Sequence, residues 1–82
     1  MKEMAEKYIN MLTPGHIKQF ARSENVYITE KEVNIVYDAI KSNYNSILNN
    51  DLRSIYELKD KLSVPVYNKI IELVNKYSYL LH

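Results

Sequence analysis

The sequence contains no cysteine and no tryptophan, and its 82 residues include one glycine and one phenylalanine. Without cysteine the chain can form no disulfide, no zinc–thiolate site and no reactive thiol, so its stability must come from packing. A chain of this length makes one domain, residues 1–82, and buries only about 60 to 65% of the surface that its unfolded form exposes. We therefore expect a small core, and an obligate dimer is one way to extend it.

Neither sign of charge is in excess, because 11 Lys and Arg stand against 10 Asp and Glu and the two signs are interspersed. Such a chain has no net attraction for polyphosphate or for an acidic membrane surface. Long apolar runs are also missing. The N-terminus carries charges too frequently for a signal peptide, and no stretch approaches the roughly 18 apolar residues of a membrane span. We expect a cytoplasmic protein that makes no membrane contact.

The stretch from residue 64 to residue 81 predicts the helix around which the rest of the chain is organised. At about 100° per residue, its apolar residues cover half of the helix circumference, which is wider than the stripe of an ordinary surface helix. Such a helix is either covered on two sides by its own chain or forms part of a subunit interface. The apolar residues are Val66, Tyr67, Ile70, Ile71, Leu73, Val74, Tyr77, Leu80 and Leu81.

Three helices are predicted in the first half of the chain. Residues 1–12 carry apolar side chains at the spacing of one helix face and form an amphipathic N-terminal helix. Thr13 caps the second helix, and Pro14 suits its first turn. Thr29 and Glu32 have the spacing of a capping box, which begins a third helix that ends near residue 41.

The second half contains one polar segment and one further short helix before the last. Residues 43–50 are polar enough for a loop, although Ile47 and Leu48 require that it be ordered against the core. Asn49 or Asn50 caps a fourth helix over residues 51–62. Its apolar stripe is Leu52, Ile55, Tyr56 and Leu62, with Leu58 to one side. The predicted fold class is all-α, a compact bundle of about five short helices with oblique packing.

Few residues could carry chemistry. His16 and His82 are the only histidines, and neither has a neighbouring set of residues at the spacing of a metal site or a catalytic triad. The helix-flanked loop of residues 38–49 fails as a calcium loop, because Asn43 and Asn49 stand where glycine and a bidentate glutamate are required. We expect no enzyme activity, no cofactor and no metal, and we interpret His16 as a solvated residue at a helix end.

Nucleic-acid binding is the alternative function. The second and third helices could mimic a helix-turn-helix, with the third helix as the reading helix. Its outward residues are as acidic as they are basic, and the chain has only Arg22 and Arg53 as arginines. A reader of phosphates and bases needs more positive charge there, so nucleic-acid binding ranks below protein interaction.

Two stretches resemble a known family. "MLTPGHIKQFARSENVYIT" and "KSNYNSILNNDLRSI" resemble the opening and the central junction of the YqfT-like family of small uncharacterised proteins from Bacillus-type bacteria. The resemblance covers Leu12 to about Tyr77, with Ser42 where family members often have glycine. It implies an all-helical fold and a low-GC Gram-positive source, and it carries over no activity and no functional residues.

The sequence thus favours a non-enzymatic interaction or regulatory module that acts through an apolar helical surface. We predict a homodimer through the last helix, since two copies can lay this flank against each other around a two-fold axis. The candidate interface residues are Tyr67, Ile71, Val74 and Tyr79. In the intramolecular alternative, the first helix covers the same flank with Met4, Tyr8 and Leu12. The partner's identity and the biological role do not follow from the sequence.

Overall fold

In the computed structural model, six α-helices and one 3₁₀ turn follow one another, and no strand occurs in the part of the chain that is described. The description covers the backbone of residues 2–81 and the side chains of residues 6, 7 and 9–76. The elements are α1 (Lys2–Met11), α2 (Pro14–Ser23), α3 (Glu30–Ser42), α4 (Tyr44–Leu48), α5 (Arg53–Tyr56), the 3₁₀ turn (Glu57–Asp60) and α6 (Val64–Leu81). The all-α prediction is confirmed.

Helices α2 and α3 both begin with a capping box. Thr29 Oγ1 accepts from Glu32 N and Glu32 Oε1 accepts from Thr29 N, each at 3.1 Å, which confirms the predicted box. The box at Thr13 has His16 in the position of the usual glutamate, and His16 Nδ1 accepts from Thr13 N at 3.1 Å. His16 is exposed, as predicted, but it also holds the first turn of α2.

Helices α2 and α4 both end on an asparagine with positive φ. Asn25 (φ 57) and Asn50 (φ 63) lie in the left-handed region, which asparagine tolerates better than most residues. The next amide then turns back, so that Val26 N donates to Ala21 O at 2.9 Å and Asp51 N to Ser46 O at 2.7 Å. These are the bonds of the Schellman motif, and they satisfy the carbonyl groups of each last turn.

Residues 43–50 are not the loop that their polarity predicts, because they contain the short helix α4. Asn43 separates it from α3, and its side-chain amide donates to Ala39 O at 2.8 Å. The expected order against the core is confirmed, since Leu48 is buried and Ile47 is half-buried. Asn49 and Asn50 follow α4 and form its end, so the prediction that one of them caps the next helix is wrong.

The prediction of one continuous helix over residues 51–62 is also wrong about where that helix begins and ends. The structure begins α5 at Arg53 and changes to a 3₁₀ turn at Glu57. A 3₁₀ turn has about three residues per turn, which brings Leu58 onto the same face as Ile55. Both are buried, whereas Tyr56, which the α-helical period places in the stripe, is 48% exposed.

The core takes one or two buried apolar side chains from each element after α1 that the structure describes. Among the described side chains these are Ala21, Val33, Val36, Leu48, Ile55, Leu58 and Val66. The elements that pack against each other include α2 with α3, α1 with α4 and α3, α3 with α4, and the 3₁₀ turn with α5 and α6. The radius of gyration of 11.9 Å is close to the roughly 12 Å expected of a compact chain of this length.

Candidate interaction surface

Helix α6 is the longest element and runs along the whole molecule. Its 18 residues span about 27 Å at 1.5 Å per residue, and the largest dimension of the molecule is 30 Å. Pro65 lies in the first turn, where its missing N–H costs nothing. Tyr67 N closes the first turn on Ser63 O at 2.9 Å. A helix of this length needs cover from several neighbours if its apolar half is to be buried.

That cover is incomplete. Val66 is 2% exposed and is the one buried side chain among the described residues of α6, whereas its other described apolar residues past the first turn are half-buried. The candidate residues Tyr67, Ile71 and Val74 are all in this half-buried group, and we refer to these three as the α6 flank. The side chain of the fourth candidate, Tyr79, lies outside the described residues.

Helix α1 packs elsewhere. Its close contacts are with α4 and α3, and Lys41 Nζ of α3 donates to Asn10 O at 3.1 Å. Leu12 is half-buried, and the side chains of Met4 and Tyr8 lie outside the described residues. The contacts of the α1 backbone therefore give no support to the alternative in which α1 covers the α6 flank.

A buried carboxylate holds the start of α6. Glu32 is 8% exposed, and its Oε2 accepts from Ser63 N at 2.7 Å while its Oε1 accepts from Thr29 N and Thr29 Oγ1 at 3.1 Å. Burial by itself raises the pKa of Glu32, but the hydrogen bonds from Ser63 and Thr29 outweigh burial and the pKa is lowered. The ionised carboxylate thus lies at the N-termini of two helices, where negative charge is stabilised.

A second polar contact lies two turns further along α6, on the side opposite to the α6 flank. Lys69 Nζ is 3.2 Å from Glu72 Oε2 and 3.6 Å from Glu24 Oε1 of the residue that follows α2. The Glu72 and Glu24 carboxylates raise the pKa of Lys69. Since these groups are partly exposed, we assign them a role in orienting α6 and little stability.

An open depression of about 600 Å³ lies where α5 approaches the second half of α6. Arg53 and Asp51 form its charged part through two short bonds, Nη2 to Oδ2 at 2.7 Å and Nε to Oδ1 at 2.9 Å. Hydrogen bonds from Arg53 lower the pKa of Asp51 to about 2. The lining residues are Asn50, Asp51, Leu52, Arg53, Tyr56 and Asn75. Because each charge already has its partner, the depression offers no free charge to a ligand.

The described residues contain no group of three or more His, Cys, Asp or Glu side chains that could hold a metal ion. Within the same residues, no helix is both long enough and apolar enough to cross a membrane. His16 is engaged with Thr13 through its Nδ1.

No family model, no curated protein and no solved structure matches this chain. The resemblance to the YqfT-like family consequently stays a prediction.

The most consequential contact that sequence reasoning missed is the bond from Ser63 N to Glu32. The capping-box spacing accounts for one carboxylate oxygen of Glu32, and the second oxygen is bound by a residue 31 positions later. A local pattern cannot show such a partner. The apolar periodicity of residues 64–81 did predict a helix, which the structure contains as α6, and an excess of apolar surface on this helix stays a prediction.

Proposed function

We propose that the protein is a small cytoplasmic, non-enzymatic interaction module that binds a second copy of itself through the α6 flank. The observation that carries this proposal is the half-buried state of Tyr67, Ile71 and Val74 on a helix of which only Val66 is buried among the described side chains. Apolar surface left partly exposed on one side of a helix is stabilised when a partner removes it from water. An isologous pair of α6 helices does so with one surface used twice.

The available area sets the strength of this contact. A helix about 27 Å long and 10 Å wide presents roughly 300 Å² on one face. A stable interface takes about 800 Å² from each partner, so the α6 flank with its immediate surroundings supports a weak, reversible dimer. We expect a dissociation constant on the order of 100 µM.

Tyrosine suits this surface. Tyr67 offers a large apolar ring with a hydroxyl that stays solvated at the rim of a contact, a combination that is enriched in interfaces. Asn68 and Glu72 lie about 100° to 140° around α6 from Tyr67; both are exposed, and they keep that side of the helix in water. The helix therefore has one face suited to a partner and one suited to solvent.

Sedimentation equilibrium between about 10 µM and 1 mM tests the proposal over the range of weak interfaces. Val74→Lys places a charge on the α6 flank, and Asn68→Lys places the same charge about 120° around the helix as a matched control. We expect the unmodified chain and Asn68→Lys to dimerise equally, and Val74→Lys to be a folded monomer because its lysine is solvated once the partner leaves.

Two results contradict the proposal. One is an unmodified chain that stays monomeric at the highest concentration. The other is a Val74→Lys variant that loses its helical circular dichroism, because this assigns Val74 to the core, where a buried charge prevents folding.

The alternative of nucleic-acid binding draws no support from the described charges. On the exposed side of α3, Lys18 of α2 forms an ion pair with Glu30, and Arg53 is paired with Asp51. The two functions separate by salt, since binding through phosphates weakens steeply as salt rises and apolar association does not. Salt-sensitive retention on DNA or RNA would reverse the ranking.

A further inference from the structure

The described contacts that hold α6 against α2 and α3 are confined to its first two turns. Ser63 N is bound by Glu32 of α3, Val66 is buried, and Lys69 faces Glu24 at the end of α2. From Ile70 to Lys76 every described side chain is half-buried or exposed. Helix α6 is thus fastened within its first two turns, and none of its described side chains from Ile70 onward is fully buried.

The connection that precedes α6 is short and follows a change of helix type. The 3₁₀ turn ends at Asp60, and Lys61 N still donates to Leu58 O at 2.9 Å. Residues 61–63 then lead directly into α6. A rotation confined to these three residues moves α6 as a unit away from the 3₁₀ turn, against which it packs.

The group formed by α2 and α3 is built differently. Each helix starts with a capping box, the two helices form the closest pair in the molecule, and Ala21, Val33 and Val36 are buried between and around them. Regions with few buried contacts open at lower free energy than the core that they rest on.

We propose that α6 undocks from the rest of the molecule as a separate cooperative unit, pivoting at residues 61–63, while α2 and α3 stay folded. Undocking breaks the bond between Ser63 N and Glu32 and exposes Val66. It requires no second copy of the chain, so this inference stands or falls independently of the proposed self-association.

Hydrogen exchange measured amide by amide on the full chain, at a concentration of about 20 µM where a weak dimer is dissociated, tests this inference. We expect the amides of α6 to exchange together, and at least tenfold faster than the protected amides of α3. Val66→Ala should increase the amide exchange rates of α6 by a further factor on the order of ten and leave the exchange rates of α2 and α3 unchanged.

Val36→Ala is the matched control, because it removes the same two methyl groups from a residue that is 5% exposed in α3. This variant should increase the exchange rates of α2 and α3. It should leave the faster exchange of α6 nearly unchanged, because α6 undocks without unfolding of α2 and α3. If α2, α3 and α6 exchange at one common rate in the unmodified chain, or if both variants accelerate all three helices by the same factor, α6 is not a separate unit and the inference is overturned.

Discussion

Helices α2 and α3 differ from α6 in how their places are determined. In α2 and α3, residues adjacent in sequence determine where the helix begins or ends. Thr13 and Thr29 cap the two N-termini, and Asn25 turns the chain after α2. Helix α6 is much longer, yet among its described side chains only Val66 is buried, and its start is held by a glutamate from a distant part of the chain. Local sequence thus defines α2 and α3 more clearly than α6, whereas α3 buries two apolar side chains and α2 and α6 bury one each among the described residues.

The difference shows why an apolar half-circumference does not imply a central helix. Long apolar periodicity stabilises a helix only where neighbours cover it, and the 3₁₀ turn that packs against α6 has only four residues. The surface that remains is the one that we assign to a second copy.

The largest effect is expected from replacing the two best-buried valines. Val33 in α3 and Val66 in α6 are 1% and 2% exposed, so Val33→Ala and Val66→Ala remove the same atoms from equally buried positions. We expect a loss of about 2 kcal/mol for Val33 and about 1 kcal/mol for Val66, since the loosely covered α6 can shift to fill the space. Urea unfolding followed by circular dichroism measures both.

A domain of this size has only about 5 kcal/mol of total stability. The difference between the losses of Val33→Ala and Val66→Ala is therefore large enough to measure by urea unfolding. Equal losses at the two positions would show that α6 is packed as tightly as α3, contrary to the comparison.

The next effect concerns Glu32, which joins the two regions. Hydrogen bonds from Ser63 and Thr29 lower the pKa of Glu32 in the folded chain, so its contribution to stability is fully present above the ordinary pKa of a glutamate and is lost as the pH falls through the lowered folded pKa. Glu32→Gln should cost about 2 kcal/mol at pH 7, because an amide cannot accept all three hydrogen bonds as an ionised carboxylate does. Urea unfolding of both proteins from pH 7 down to pH 3 measures the difference.

The difference in unfolding free energy between the unmodified chain and Glu32→Gln should become smaller as the pH falls. Acid protonates the Glu32 carboxylate and so removes the charge that the variant already lacks. A gap that stays constant down to pH 3 would show that the ionised carboxylate does not stabilise the junction of α3 and α6.

The smallest effect on stability is expected from the cap of α2. Thr13→Ala removes the hydroxyl that accepts from His16 N at 3.3 Å, and we expect a loss of about 1 kcal/mol. Thr13→Ser keeps the hydroxyl and should lose only a few tenths of a kcal/mol. If the two variants are equally stable, the cap of α2 contributes nothing and the local definition of this helix lies elsewhere.

Much of the fold follows from local patterns in the sequence. The capping box at Thr29, the cap at Thr13 and the helical period of residues 64–81 each predict an element that the structure contains. The patterns fail where tertiary contacts decide. The change to a 3₁₀ turn at Glu57 brings Leu58 to Ile55, and the polar segment 43–50 contains helix α4, whose Leu48 is buried.

Two missed features had sequence correlates. Asn25 and Asn50 both end helices in the left-handed conformation, and asparagine at a helix end is a known indication of it. The second partner of Glu32 had no correlate, since Ser63 is distant in sequence and donates a backbone N–H that every residue except proline carries. For the candidate surface, the sequence predicts which face of α6 is apolar. It does not predict how much of that face is buried, because this depends on how every other element packs.

The most direct test of the central claim is a comparison of amide chemical shifts at about 20 µM and about 1 mM, a range that brackets the expected dissociation constant. We expect the chemical shifts to change with concentration at Tyr67, Ile71 and Val74 and their neighbours on α6, while the amide shifts of α2 and α3 stay constant. Concentration-dependent shifts centred on α2 and α3, or none anywhere, would contradict the assignment of the α6 flank as the surface through which this protein binds its second copy.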